Sequence, residues 1–254
     1  MRIVVTGSSG GIGQAVAQNF AAAGHHLLIV DRDGARGTAM AEALGPRTAA
    51  AAAELTDPEF GRSVVAAARL ALGGVDAIVS AAGTIAPEGR MEDLPLDRWQ
   101  ASFAINTVPL FLLAQAAFED LRANRGAIVA IASTSASHPV PGLGGYSASK
   151  AALVMLVRQL ALEWGPHGIR ANAISPGPTA TAMAPAYADP AIRARRAQTL
   201  PLRRISEAED IAAAAAFLLG PGGAAMTGID LVIDGGMALT TMQLSGANLG
   251  RGAE

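Results

Sequence analysis

Residues 6–13 read TGSSGGIG and directly follow the apolar run Ile3-Val4-Val5. Four glycines within eight residues weaken any helix or strand, so they indicate a tight turn or a close approach to the backbone. A helical stretch, Gly11–Ala23, comes next. A glycine turn between a strand and a helix gathers backbone N–H groups and the positive end of a helix dipole at one point, which favours a pyrophosphate. The alternative is a tight turn that is simply rich in glycine.

The composition indicates one globular domain that acts on a small molecule. The chain has 254 residues, which suits a single α/β domain, here placed at residues 1–242. Nineteen Lys and Arg against 21 Asp and Glu give a formal charge of −2, with no charge block resembling a nucleic-acid arm or a membrane patch. Because there is no Cys, disulfides and thiolate chemistry are excluded, and no metal site is predicted.

No segment contains the eighteen or so uninterrupted apolar residues of a membrane span. The longest candidate, Ile211–Met226, is broken by Gly220, Pro221, Gly222 and Gly223. The first residues pass straight into the glycine turn and leave no room for the apolar core of a signal peptide. The sequence therefore predicts a soluble cytoplasmic protein.

Short β-branched runs alternate with longer helical stretches along the chain. The predicted strands are Arg2–Val5, His26–Val30, a weaker Thr48–Ala53, Val75–Ser80, Gly126–Ala132, Ile169–Ser175 and Ile229–Asp234. The predicted helices are Gly11–Ala23, Pro58–Leu72, Leu96–Asn124, Tyr146–Trp164 and an alanine-rich helix that ends at Gly220. This alternation predicts a single doubly wound α/β domain, a mostly parallel seven-stranded sheet with helices on both faces. A polar tail, residues 243–254, follows it.

Glycines and one capping box mark the predicted helix ends. Gly24, Gly73, Gly126 and Gly165 stand where helix C-caps favour positive φ. Ser206 and Glu209 have the spacing of a capping box ahead of the alanine-rich helix.

Asp31 stands eighteen positions beyond Gly13, at the end of the second predicted strand. A carboxylate there can accept hydrogen bonds from both hydroxyls of an adenosine ribose and repels a 2′-phosphate. NAD is therefore favoured over NADP, although Arg32 can soften the repulsion, and a solvated acid at a strand end is the alternative.

The stretch YSASK places Tyr146 and Lys150 four residues apart, on one face of a helix. A free tyrosine titrates near 10 and is a poor base at neutral pH. A neighbouring ammonium that favours the phenolate supplies what a base role requires. Alone, such a pair usually just lines a helix surface.

Together these motifs resemble the short-chain dehydrogenases/reductases, in the branch of about this length. The resemblance runs from the first strand to about Met237. Its matching residues are Thr6–Gly13, Asn106 in INTVPLF, Ser133 in IVAIAS, Tyr146 with Lys150, PGPTAT from Pro176 to Thr181, LPLRRISEAEDIA and MTGIDLVIDGG. Ser133 precedes Tyr146 by thirteen residues, which is the family's usual interval.

The resemblance implies a role for each matching residue. Tyr146 would be the general acid/base, and Lys150 would lower its proton affinity and hold the nicotinamide ribose. Ser133 would bind the substrate oxygen, and Asn106 would support a water-mediated proton relay behind Lys150. The implied cofactor contacts are Gly7, Ser9, Gly11, Ile12, Gly13, Asp31, Arg32, Glu54, Leu55, Ala82, Gly83, Tyr146, Lys150, Pro176, Gly177, Thr179 and Thr181. Read singly, Ser133 can instead cap a strand and Asn106 can be a buried amide within a long helix.

Two departures from the family pattern concern the cofactor region. Where the family usually has Asn-Asn-Ala-Gly, this chain has Ser80-Ala81-Ala82-Gly83, so an amide that steadies the sheet is missing. Glu54 replaces the usual Asp at the adenine pocket, which can shift the adenine contact onto the Leu55 main chain. Neither departure touches the catalytic group.

The substrate is not identified by the sequence. Specificity is expected from a lid at residues 182–201, whose shape one sequence does not give. Met183 and Tyr187 suggest a mainly apolar pocket, whereas Arg193, Arg195 and Arg196 either reach an anionic group or, as we favour, face solvent. His138 either lines the pocket or is a turn residue before a proline.

The expected function is hydride transfer between NAD(H) and a secondary alcohol or ketone. A 3-oxoacyl thioester reductase and a non-catalytic dinucleotide-binding sensor are the alternatives. Family members usually pair the long helices that start near Leu96 and Tyr146, so a homotetramer is expected.

Overall fold

Seven parallel strands form one sheet in the order β3-β2-β1-β4-β5-β6-β7. The structure is a computed structural model and describes residues 1–85 and 88–240, so the predicted tail at 243–254 lies outside the described residues. The strands are β1 (Arg2–Thr6), β2 (His26–Asp31), β3 (Thr48–Ala52), β4 (Ala77–Ser80), β5 (Ala127–Ile131), β6 (Arg170–Pro176) and β7 (Asp230–Ile233). The predicted doubly wound α/β fold is confirmed.

Helices cover both faces of this sheet. They are α1 (Gly11–Ala22), α2 (Gly34–Leu44), α3 (Phe60–Leu72), α4 (Leu96–Asn106), α5 (Val108–Asn124), α6 (Tyr146–Trp164), α7 (Pro190–Gln198) and α8 (Ala208–Leu219). Because β1 pairs with β2 on one side and β4 on the other, the chain reverses direction across the sheet at β1. In open sheets of this kind the ligand crevice lies at the carboxyl ends of the strands beside such a reversal.

Successive side chains of a strand point to opposite faces of the sheet, so alternate residues pack into two separate hydrophobic cores. Val4 joins Phe60 and Leu113 in the core beneath α3, α5 and α6. Ile3 joins Phe20 and Leu218 in the core beneath α1 and α8. The low aromatic content is thus compatible with two fully buried layers.

The long helix predicted for residues 96–124 is in fact two helices. The break is at Thr107, which has a φ of −125°. Pro109 explains it, since proline lacks the N–H for one helical hydrogen bond and its ring crowds the carbonyl four residues earlier. Asn106 therefore ends α4 and does not lie within a long helix.

The predicted glycine caps have positive φ at Gly24 and Gly73, with values of 80° and 79°. Gly165 is the C-cap of α6 as predicted, but its φ is −52°, and the cap predicted at Gly126 is wrong. Arg125 takes the left-handed position instead, with a φ of 50°. Gly126 serves close packing, because a Cβ there would lie 2.4 Å from the Asp76 carbonyl oxygen. After α6 a 3₁₀ turn (Gly165–His167) continues the chain.

The predicted capping box is wrong by one residue. Glu207 is the N-cap of α8 and Asp210 is its partner, whose Oδ2 accepts the Glu207 N–H at 2.9 Å. Ser206 instead pairs with the segment after β6, where its N–H donates to the Pro178 carbonyl at 3.1 Å. That pairing delays the start of the helix.

Two helices were not predicted. Asp33 begins α2 by accepting the Arg36 N–H at 3.0 Å, and Asp189 begins α7 by accepting the Ala191 N–H at 2.8 Å. Both are short and mostly polar at their surface, so hydrophobic periodicity does not reveal them. Because α7 occupies residues 190–198, it gives the predicted lid a folded element.

Within the described residues, the stretch Leu96–Asn124, which comprises α4 and α5, matches a membrane span in its length and its mean hydropathy of 1.5. The sequence prediction had considered Ile211–Met226 instead. Thr107 interrupts the stretch, and Leu110 and Leu113 bury one of its faces in the core. A core helix of a globular domain can have the same length and hydropathy, so these two properties by themselves do not establish a membrane span.

Candidate active site

The glycine turn after β1 is closed onto itself and onto the segment after β4. A Cβ on Gly13 would lie 2.1 Å from the Gly7 carbonyl oxygen, and a Cβ on Gly7 would lie 2.7 Å from the Ala82 nitrogen. Gly7 also has a φ of 67°, which favours glycine. The turn leads into α1 at Gly11, so the amide end of that helix faces the crevice.

A cavity of about 700 Å³ opens over this turn and extends across the carboxyl ends of the strands toward α7. Three of the predicted catalytic residues, Ser133, Tyr146 and Lys150, line it. The predicted cofactor residues that line it are Gly7, Ser9, Gly11, Ile12, Gly13, Asp31, Arg32, Ala82, Gly83, Tyr146, Lys150, Pro176, Gly177, Thr179 and Thr181. The structure thus brings together residues spread over most of the chain.

Glu54 and Leu55 are not among the residues that line this cavity. The Glu54 side chain is exposed, and Leu55 packs partly against the core beneath α3. Their contact with an adenine stays a prediction.

Asp31 ends β2 beside the glycine turn. Its Oδ2 accepts the Ser9 N–H at 3.1 Å and its Oδ1 accepts the Asp33 N–H at 3.3 Å. The carboxylate therefore orders the turn as well as lining the cavity. The Ser9 hydroxyl is buried there without a hydrogen-bond partner among the described residues. A buried polar group without a partner is costly, so it indicates a ligand group at this point.

Tyr146 and Lys150 lie buried together in the first turn of α6, with 7% and 4% of their surfaces exposed. The Lys150 Nζ donates to the Ile131 carbonyl oxygen at 2.9 Å and lies 5.9 Å from the centroid of the Tyr146 ring. Burial lowers the pKa of Lys150 to about 8. The ammonium thus reaches the end of β5 rather than the phenol oxygen.

Burial raises the pKa of the Tyr146 phenol, and a hydrogen bond with Ser133 opposes part of that rise. The sequence had predicted that Lys150 favours the phenolate. In the structure desolvation outweighs the Ser133 hydrogen bond, so the balance of these two effects favours the protonated phenol, and the influence of Lys150 on the phenol stays a prediction. A protonated phenol is suited to donate a proton to a carbonyl oxygen.

Asn106 lies behind this pair rather than in the cavity lining. Its Oδ1 accepts the Thr84 N–H at 2.9 Å, and its Nδ2 donates to the Ser149 Oγ at 3.0 Å. A Cβ on Gly83 would lie 2.9 Å from the Asn106 Oδ1 and 3.2 Å from the Lys150 Nζ. Glycine at position 83 therefore lets the amide and the ammonium approach each other, and the proton relay stays a prediction.

Comparisons with known proteins agree on one family. The sequence model of a family described as enoyl-(acyl carrier protein) reductase matches residues 7–238. The chain is 37% identical to 3beta-hydroxysteroid dehydrogenase 1 of Eggerthella lenta over 93% of each chain. It belongs to the short-chain dehydrogenase/reductase family.

Two further relatives support the same assignment. The NAD-dependent glycerol dehydrogenase of Listeria innocua is 32% identical over 93% of each chain. A solved structure of a short-chain dehydrogenase/reductase from Brucella melitensis, titled glucose/ribitol dehydrogenase, superposes with a TM-score of 0.87 at 30% identity, covering 92% of this chain and 95% of that one. The protein is thus a short-chain dehydrogenase/reductase that acts on CH–OH groups.

The altered Ser80-Ala81-Ala82-Gly83 segment is held against β1 by a hydrogen bond. The Ala82 N–H donates to the Thr6 Oγ1 at 3.2 Å, which joins the ends of β1 and β4. Ala82 and Gly83 consequently remain in the cavity wall.

Several site residues were missed in the sequence. Asp33 and Arg36 line the cavity beside Asp31, and Met237 lines it on the β7 side; Arg196, for which the sequence analysis favoured solvent, lines it as well. No motif marks them, since α2 and the lid helix bring them to the site only in the folded chain.

His138 is exposed and outside the lining, and its N–H donates to the Thr134 carbonyl at 2.9 Å, which agrees with the turn interpretation.

Proposed function

We propose that this short-chain dehydrogenase/reductase transfers a hydride between NAD(H) and a secondary alcohol or its ketone, with Tyr146 as the general acid/base. The observation that carries the proposal is the burial of Tyr146 beside Lys150 in the wall of a cavity that begins at the glycine turn. Such isolation from water strengthens the interactions of a proton-transfer group with its substrate.

The residues of the cavity fit a dinucleotide. The glycine turn leaves no room for side chains where a diphosphate would approach, and the amide end of α1 favours negative charge there. The buried Ser9 hydroxyl offers a further donor. When bound, the nicotinamide supplies or accepts the hydride.

Each catalytic side chain has a task in this proposal. Tyr146 donates its proton to the carbonyl oxygen during ketone reduction and takes it back during alcohol oxidation. Ser133, which hydrogen-bonds Tyr146, also binds the substrate oxygen and so keeps it beside the phenol. Lys150 holds ribose hydroxyls with its Nζ, and Asn106 fixes the loop at Thr84 behind it.

Asp31 favours NAD over NADP in this proposal. Its carboxylate lies in the cavity wall, where it can accept hydrogen bonds from ribose hydroxyls and repel a 2′-phosphate. Arg32 and Arg36 line the same end and weaken that repulsion. The relative from Listeria innocua, named NAD-dependent, supports the assignment.

Two other functions make different predictions. The description of the matching family model, an acyl carrier protein reductase, favours a thioester substrate. A 3-oxoacyl thioester reductase would prefer NADPH. A dinucleotide-binding sensor would bind NAD without turnover on any alcohol or ketone.

The test is a screen of secondary alcohols and ketones that follows nicotinamide absorbance, comparing wild type with Tyr146→Phe. We expect the substitution to lower kcat by about 10²- to 10⁴-fold while NAD affinity is retained, because it removes only the transferable proton. Tyr187→Phe is the matched control, since Tyr187 is the other tyrosine of the chain and also lines the cavity. Equal losses in both variants, or full activity of Tyr146→Phe, would refute the assignment.

A further inference from the structure

Arg196 is a cation in the cavity wall that forms no ion pair within residues 1–85 and 88–240. It lies on α7, and its Nε is buried without a hydrogen-bond partner in the described part of the chain. Its Nη2 lies 3.2 Å from the Met237 Sδ, which is a weak and uncharged acceptor. A guanidinium carries five N–H donors, so most of its hydrogen-bonding capacity is unused here.

The other arginines of this helix behave differently. Arg193 forms an ion pair with Glu207, and Arg195 is exposed and outside the cavity lining. The sequence had favoured solvent for all three. In the structure, Arg196 alone of the three lines the cavity.

The cavity that Arg196 lines has several apolar side chains in its wall. Met183 and Tyr187 from the lid and Val140 from the loop before α6 line it, and Met237 contacts Arg196 directly. The carboxylates that line the cavity, Asp31 and Asp33, belong to the end of β2 and the start of α2. Arg196 is partly buried, and its buried Nε has no acceptor among the described residues. Leaving a buried donor unpaired is costly, so a ligand is expected to supply a negatively charged acceptor here.

The contact with Met237 places Arg196 on the β7 side of the cavity. Met237 follows β7, which stands four strands away from β1 in the sheet order. At about 4.8 Å for each strand, this is on the order of 19 Å along the sheet. The arginine thus lies at the lid end of the cavity.

We infer that Arg196 binds an anionic group of the substrate, and that the natural substrate is a secondary alcohol or ketone with a carboxylate at its far end. This inference rests on the proposed function, since it concerns the other end of the same substrate. A planar carboxylate matches the two parallel donors of a guanidinium, and such charge-assisted bidentate pairs are strong. Arg196 and Tyr146 line the same cavity, and the apolar side chains in its wall suit a hydrocarbon spacer between the two ends of such a substrate.

Straight-chain methyl-ketone acids of increasing length, each paired with its methyl ester, test the inference. With NADH, the wild type is expected to reduce the best acid with a kcat/KM about 10- to 100-fold above that of its ester, the usual effect of a hydrogen bond to a charged group. Arg196→Met is expected to remove this preference by raising the KM for the acid. Arg196→Lys restores part of it, because the charge stays while the bidentate geometry is lost.

Arg195→Met is the control, since Arg195 is on the same helix but exposed. It should leave the preference for the acid unchanged. A readout independent of turnover is calorimetric binding of the matching straight-chain alkanoate to NAD-saturated protein, which Arg196→Met should weaken by a similar factor and Arg195→Met should not.

The inference is overturned if wild type treats acids and esters alike, or if Arg196→Met retains the preference. It is also overturned if Arg196→Met weakens NAD binding but not alkanoate binding, because the arginine then serves the anionic diphosphate of the cofactor. If NAD binds but no ketone of any kind is reduced, the proposed function fails, and alkanoate binding alone still decides whether Arg196 is an anion site.

Discussion

Lys150 combines a positive charge with nearly complete burial, and this makes the stability of the fold depend on pH. Its pKa falls from 10.5 to about 8 on folding, because burial disfavours the ammonium. Between these values the unfolded chain holds a proton that the folded chain has released. Stability therefore rises with pH in this window.

We predict that the free energy of unfolding of the protein without cofactor gains on the order of 1–3 kcal/mol from this group between about pH 8 and pH 10. Above pH 10 the raised pKa of Tyr146 acts in the opposite direction, because the unfolded phenol then loses its proton first. Urea denaturation at several pH values measures the effect. Lys150→Met should lack the rise, and parallel profiles for the two proteins would contradict the prediction.

A substitution at Asp31 that removes only its charge tests whether this carboxylate selects NAD over NADP. Asp31→Asn keeps an acceptor for the Ser9 N–H but removes the negative charge that we propose faces the ribose. We expect NAD affinity to fall about 10- to 100-fold and NADP affinity to rise, as measured by calorimetry.

The matched control is Asp33→Asn, since Asp33 also lines the cavity and asparagine caps a helix equally well. This variant should change the preference little. An equal shift in both variants would mean that the net charge at the cavity mouth, rather than Asp31, selects the cofactor.

At the scale of elements, two glycines that have no room for a side chain allow effects on cofactor binding and effects on stability to be tested separately. A Cβ on Gly13 would lie 2.1 Å from the Gly7 carbonyl oxygen within the glycine turn. A Cβ on Gly61 would lie 2.1 Å from the Leu112 carbonyl oxygen, where α3 packs on α5. Neither clash is relieved without a backbone shift.

We predict that Gly61→Ala lowers the free energy of unfolding by about 1–3 kcal/mol and leaves the Kd for NAD unchanged. Gly13→Ala should weaken NAD binding about tenfold or more, because it displaces the turn. Denaturation and calorimetry on both variants measure this. Wild-type NAD affinity in Gly13→Ala would contradict the role assigned to the turn.

The elements that the sequence predicts correctly are those with a strong local signal. All seven strands are β-branched or alanine runs bounded by turn residues, and the sheet buries most of them. Helices α2 and α7 lack such a signal, because they bury few apolar side chains. The break at Thr107 and the shift of the cap to Glu207 depend on tertiary pairing, which local patterns do not contain.

The same distinction applies to the site. Motif residues such as Tyr146 and Lys150 were located by their spacing, and the fold places them where the pattern predicts. Arg196 was assigned to solvent, because three arginines within four positions resemble a solvated surface. Only the packing of α7 over the cavity distinguishes it from Arg195.

At the scale of the whole molecule, exposed apolar side chains support the predicted homotetramer. Phe111 on α5 and Met155 and Leu162 on α6 are exposed on the helices that family members pair. Burial of such patches between subunits is the usual explanation for their exposure in one chain.

We predict a sedimentation mass about four times the 25.6 kDa of the chain. Replacing Phe111 and Leu162 together by Glu should yield smaller species, because it places charges in the paired surface. Leu70→Glu is the control, since Leu70 is exposed on α3, outside that pairing. A wild-type mass near 25.6 kDa would contradict the assembly.

The central claim is that the buried phenol and ammonium of α6 act on a nicotinamide whose diphosphate lies at the glycine turn. A crystal structure with NAD and a non-reactive alkanoate tests it most directly. The account predicts the diphosphate at the amide end of α1, the ribose hydroxyls within hydrogen-bonding distance of the Lys150 Nζ, and the Tyr146 hydroxyl close enough to the reactive carbon of the ring for one substrate carbon–oxygen bond to contact both. A dinucleotide bound elsewhere, or a ring too far from Tyr146 for such a substrate, would contradict it.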